Sequence, residues 1–74
     1  AAGAEVLGPK AVVSRWKAED GAVLTIAVNL ADAPVAASGL AGPVLFESSP
    51  GAAEAAADGS LPGYTTVALL ERAA

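Results

Sequence analysis

From position 11 the chain alternates apolar and polar residues with a period of two, the mark of β-strands that bury one face. In AVVSRWKA, Val12, Ser14, Trp16 and Ala18 fall on one side, and Val13, Arg15 and Lys17 on the other. In AVLTIAVNL, Ala22, Leu24, Ile26, Val28 and Leu30 oppose Val23, Thr25, Ala27 and Asn29. Glu19-Asp20-Gly21 lies between the two runs. Gly21 can take a positive φ without steric cost, Asp20 tolerates one, and Asp-Gly between alternating runs is a strong hairpin signal. The pattern predicts an antiparallel hairpin with strands over about 11–18 and 22–30. The sides richer in large apolar residues predict the core: Val12, Trp16, Leu24, Ile26 and Val28 buried between layers, with Asp20-Gly21 at an exposed tip.

The remaining segments are shorter. Residues 1–10 are small and weakly patterned up to the Gly8-Pro9 turn mark, and read as a lead-in or linker remnant. Pro34 cannot donate to a ladder and ends the second strand. A weak strand is expected at 35–37, a turn-rich connection over 38–43, and a brief strand over 44–48. Residues 49–59 are the helical candidate, with Ser49 as N-cap, Pro50 at the first helical position and Gly59 as the stop. A helix of this length is unstable alone, so one helical turn near 50–57, or an ordered loop, is expected. Leu61-Pro62-Gly63 leads into a last strand over 64–71, and 72–74 form a terminus. With no βαβ rhythm and no internal repeat, the fold class is all-β: a small antiparallel β-sandwich or Greek-key sheet.

Composition limits what such a sheet can do. Seventy-four residues make one small domain, in which folding buries only about 60% of the unfolded chain's surface. There is no Cys or His to supply a disulfide or a zinc site. Of the 40 apolar residues 20 are Ala, leaving eight Val, eight Leu and one each of Ile, Phe, Trp and Tyr. That is one thin core, and a partner domain covering one face would help it. A net charge of −4 with four Lys/Arg argues against nucleic acid, since so few cations cannot track a phosphate backbone. No apolar run approaches the ~20 residues of a membrane span, and no signal-peptide pattern is present. The chain opens Ala-Ala-Gly rather than with Met, which favours a piece of a longer polypeptide.

Candidate chemistry is sparse. A glycosidase needs two facing carboxylates about 5–10 Å apart; Asp32 and Glu47, both following apolar runs, are the pair to consider, against the commoner reading of solvated strand ends. Ser48-Ser49 lack a neighbouring base and the G-x-S-x-G elbow. Gly39, Gly42 and Gly51 do not match a phosphate loop, and Asp20 and Asp58 lack a metal-ligand cluster. Sugar-binding modules stack pyranose rings on exposed aromatics; Trp16 and Phe46 read as core, which leaves Tyr64, after a Pro-Gly turn, as a weak carbohydrate-contact candidate.

Taken together, VVSRWKAEDGAVLTIAVNLADAPV, VLFESSPGAAEAAADGSLPGY and TTVALLE resemble the C-terminal β-domain of malto-oligosyltrehalose trehalohydrolases, in the α-amylase superfamily. The resemblance spans about 11–71. Its sharper parts are Trp16 before Asp20-Gly21, Asn29-Leu30, Leu45-Phe46-Glu47-Ser48 and Leu61-Pro62. It implies that residues 11–72 are the C-terminal β-domain of a longer glycosidase whose (β/α)8 barrel carries an Asp nucleophile and a Glu acid/base. The parent would hydrolyse the α-1,4 bond next to the terminal trehalose of maltooligosyl trehalose, without a cofactor, in the cytoplasm. No position here matches a catalytic motif of that family, so no catalytic, cofactor or metal residue is expected in this chain. Its partner would be the parent's barrel. The alternatives are a carbohydrate-binding module, taking maltooligosaccharide at Tyr64 or Trp16, and an unrelated β-module for protein contacts.

Overall fold

The computed structural model describes residues 3–37, 39, 40 and 42–71. The expected terminus at 72–74, residues 1 and 2 of the lead-in, and positions 38 and 41 of the turn-rich connection lie outside them.

Among the described residues, seven strands and one helix follow in the order β1 (Gly3–Gly8), β2 (Ala11–Lys17), β3 (Val23–Asn29), β4 (Val35–Ala36), β5 (Val44–Glu47), α1 (Ala52–Ala57), β6 (Ser60–Leu61) and β7 (Thr65–Glu71). Five make one sheet in the order β1-β2-β3-β7-β5, and β4 pairs with β6 in a two-stranded ribbon. Every pairing is antiparallel. The fold is therefore the small all-β class that the alternation predicts, with one helical turn near 50–57.

The central hairpin has the register Ala11↔Asn29 through Lys17↔Val23. Its tip is one residue longer than a two-residue Asp-Gly turn. Gly21 N–H donates to Ala18 O (3.0 Å) and Ala18 N–H to Ala22 O (2.8 Å), so a turn over Ala18–Gly21 ends on one left-handed residue. Gly21 supplies it, with φ 88°, as a three-residue loop with a glycine bulge requires. The Asp20 carboxylate accepts from Ala22 N–H at 3.0 Å and stays in ordinary φ space.

Residues Gly3–Gly8, expected as a lead-in, form the edge strand β1, paired with β2 from Gly3↔Arg15 to Gly8↔Ala11. Their weak pattern has a physical cause. An edge strand beyond the covering layer has little apolar surface to bury, so small residues and Glu5 suffice. The strand β6 was not expected either. Two residues long, it exists because Val35↔Leu61 and Ala36↔Ser60 pair across the molecule.

The core corrects the sequence expectation. Cross-strand neighbours share a face, and the covered face is the one bearing Val13, Ala27, Val67 and Leu69, packed with Ala37, Leu40, Leu61, Ala52, Ala53 and Ala56. Val12, Trp16, Leu24, Ile26 and Val28 point the other way: Val12 and Trp16 are exposed, the other three half-buried. Phe46, also expected in the core, is 54% exposed. Size is the reason. The chain's own cover is a short ribbon and a one-turn helix, and three of the helix alanines lie at 2%, 6% and 1% exposure. Alanine brings backbone close to backbone, and only a face of small side chains lets so thin a layer close.

Candidate functional surface

The helix is capped by the neighbouring strand rather than by its own residues. Gly51 is the N-cap and makes no side-chain capping bond; Ser49 contributes its backbone carbonyl, accepting from Ala52 N–H at 3.1 Å. The missing cap comes from Glu47 on β5, whose Oε1 accepts from Ala53 N–H at 3.0 Å. A carboxylate at a helix start meets unpaired N–H groups and the positive end of the helix dipole. Glu47, one member of the candidate acid pair, is thus occupied as a cap. Asp32 is exposed in the loop after β3. Ser48 is tied into the sheet, its Oγ accepting from Thr66 N–H at 2.9 Å. No group of three or more potential metal-ligating side chains occurs among the described residues.

Tyr64 stands on a built turn. Asn29, fully buried, donates through Nδ2 to Ala33 O (2.9 Å), Leu61 O (3.1 Å) and Pro62 O (3.1 Å), and its Oδ1 accepts from Ala31 N–H at 3.0 Å. One amide thereby ties the loop after β3 to the loop before β7. Tyr64 N–H donates to Ala31 O at 3.0 Å, and Thr65 Oγ1 to Gly63 O at 2.9 Å. Gly63 is packed so closely that a Cβ there would lie 2.8 Å from Ala31 O. Tyr64 is 70% exposed. Its φ is 51°, and among the described residues it is the one non-glycine residue with a positive φ. That conformation costs an L-residue roughly 1–2 kcal/mol. Sequence pattern places Asn29 on a wet face and misses this role. The available signal is an Asn at a strand end facing two Pro-containing loops.

The largest feature is the uncovered face of the five-stranded sheet. Register aligns Val6-Val12-Val28-Thr66, Ala4-Ser14-Ile26-Ala68-Phe46 and Trp16-Leu24-Leu70 across it. None of these positions carries a charge. Glu5, Arg15, Lys17, Glu47 and Glu71 pair with residues of the covered face, where Arg15 Nη1 lies 3.8 Å from Glu5 Oε1. The other described charges are in turns or in the helical segment. A sheet face meant for water normally carries charged side chains. From strand spacing and rise the face measures roughly 19 by 23 Å, about 440 Å² in plan. A largely apolar face of that order is often a functional surface on a small domain.

Fold and surface together define a small antiparallel β-domain with one finished core and one open face whose strand positions carry no charge. The chain matches the family described as "Domain of unknown function (DUF3459)" over residues 1–68, and it belongs to that family, a β-rich C-terminal domain of α-amylase-family enzymes. Neither the curated proteins nor the solved structures provide a match. No helix among the described residues is long and apolar enough to cross a membrane.

Proposed function

We propose that the chain is the non-catalytic C-terminal accessory domain of a retaining glycosidase resembling malto-oligosyltrehalose trehalohydrolase, and that its open sheet face packs on the parent's (β/α)8 barrel. The observation that carries this reading is the charge segregation. Apolar residues of β1, β2, β3, β7 and β5 share a face on which no paired strand position carries a charge, with Lys10 at its end beside Val6, Val12 and Leu30. Its plan area, about 440 Å², suits contacts between domains of one chain, which bury 600–1,500 Å² in total. A free protein partner typically needs about 800 Å² on each side. The bond of Glu47 to a helix N–H supports a structural rather than an acid/base role for this member of the Asp32–Glu47 pair.

Catalysis in this reading belongs to the parent's barrel, in the cytoplasm and without a cofactor. The complete polypeptide releases trehalose from maltooligosyl trehalose, and the 74-residue chain alone does not. Turnover by the chain alone that vanishes in Glu47→Gln would overturn the non-catalytic assignment. A complete polypeptide without a barrel and its acid pair would remove the parent.

A further inference from the structure

Tyr64 combines three properties that the core does not explain. It holds a left-handed backbone that Gly or Asn would adopt with less strain. The residue is largely exposed, so burial within this chain does not offset that strain. The turn beneath it is fixed, by its own N–H bond to Ala31 O and by the Asn29 amide that clamps both loops. Strain that persists at an exposed aromatic on a rigid base points to a contact made outside the chain.

Position says which contact. Asn29 and Thr65 are paired at the end of β3 and β7 on the covered face. The residues next beyond them in sequence are Leu30, 62% exposed, and Tyr64, 70% exposed, and Tyr64 N–H reaches Ala31 O across the gap. The two therefore lie at the end of the sheet where the row Val6-Val12-Val28-Thr66 finishes. Leu30 lines the end of the open face together with Val6 and Val12, and a tyrosine, with few rotatable bonds and one hydroxyl, is a residue type enriched at protein interfaces.

We infer that Tyr64 is a preset anchor for the surface that covers the open face, held at its rim by a strained turn. This rests on the docking reading above and takes the same occupant, the flank of the parent's barrel. A sugar ring at Tyr64 is the competing outcome.

The test uses the complete polypeptide with three single changes: Tyr64→Gly, Tyr64→Asn and Trp16→Asp. Gly and Asn both suit a positive φ, so the turn survives loss of the ring. Docking is read as hydroxyl-radical oxidation of the peptide containing Phe46, and sugar binding by titration with maltooligosaccharide. The expected result is a several-fold rise in Phe46 oxidation in both Tyr64 variants, a larger rise in Trp16→Asp, and sugar affinity unchanged in all three. If Trp16→Asp raises oxidation and neither Tyr64 variant does, the anchor is refuted while docking stands. If none of the three does, docking itself is refuted. Loss of maltooligosaccharide affinity in the Tyr64 variants with oxidation unchanged assigns the ring to sugar.

Discussion

Replacing Asn29 by Ala tests how the two loops that carry Tyr64 are held. Nδ2 has two hydrogens and contacts three carbonyls, so at least one is shared, and the amide makes in effect two donated bonds and one accepted bond. At about 1 kcal/mol net for each, the direct loss is about 3 kcal/mol. The Leu61 contact is buried, and leaving that carbonyl without a donor costs about 1–3 kcal/mol in its own right. The partly buried Ala33 and Pro62 carbonyls can turn to water and recover some of theirs. A loss of about 3 kcal/mol is therefore expected. With a denaturant slope near 1–1.5 kcal/mol/M for so small a chain, the urea midpoint of the 74-residue chain falls by about 2–3 M. Asn29→Asp is the sharper variant. It keeps the shape but presents oxygen to three carbonyl oxygens, so it should cost at least as much as Ala. An Asn29→Ala loss below about 1 kcal/mol, or an Asp variant as stable as the parent, refutes the clamp.

Three further changes probe separate parts of the account. Gly63→Ala brings a methyl to 2.8 Å from Ala31 O and from the Asp32 carbonyl carbon; a stability loss of about 1–3 kcal/mol is expected by overpacking, with the amide exchange of Ala31 and Tyr64 raised first. Glu47→Ala removes the helix cap and should cost about 0.5–2 kcal/mol, read by thermal unfolding, whereas Glu47→Gln keeps an acceptor and loses less. Gly21→Ala forces a methyl-bearing residue to φ 88° and should cost about 1 kcal/mol; an unchanged melting temperature would contradict the bulged turn.

How much of this was legible in the sequence depends on distance along the chain. The hairpin was, because Asp20-Gly21 and the flanking alternation are local signals that agree. The helical turn was too, although its cap was not: Glu47 reaches Ala53 N–H from a different element, and Ser49 supplies only a carbonyl. The strands β1 and β6 were missed because each depends on a partner for its pattern, Gly3–Gly8 on β2 and Ser60–Leu61 on β4. The buried side was misassigned for a more instructive reason. Alternation tells which residues share a face, not which face the rest of the chain will cover. Trp16, Leu24 and Ile26 outweigh Val13 and Ala27 in apolar area, so the larger set reads as core. Within this chain the smaller set is the core, and the larger set is left open. Tyr64 was legible as an exposed aromatic after Pro-Gly, but its left-handed backbone depends on Asn29 and Ala31, more than 30 residues away.

The most direct test of the docking claim is hydroxyl-radical footprinting of the unmodified sequence in two contexts, the 74-residue chain and the complete polypeptide. Trp16 and Phe46 are 50% and 54% exposed in the chain by itself, so both should be oxidised readily there. In the complete polypeptide both should be protected several-fold, while Val44 and Leu45 on the β5 edge change less. Equal oxidation of Trp16 and Phe46 in the two contexts would contradict the account, leaving the open face without the partner that its uncharged strand positions imply.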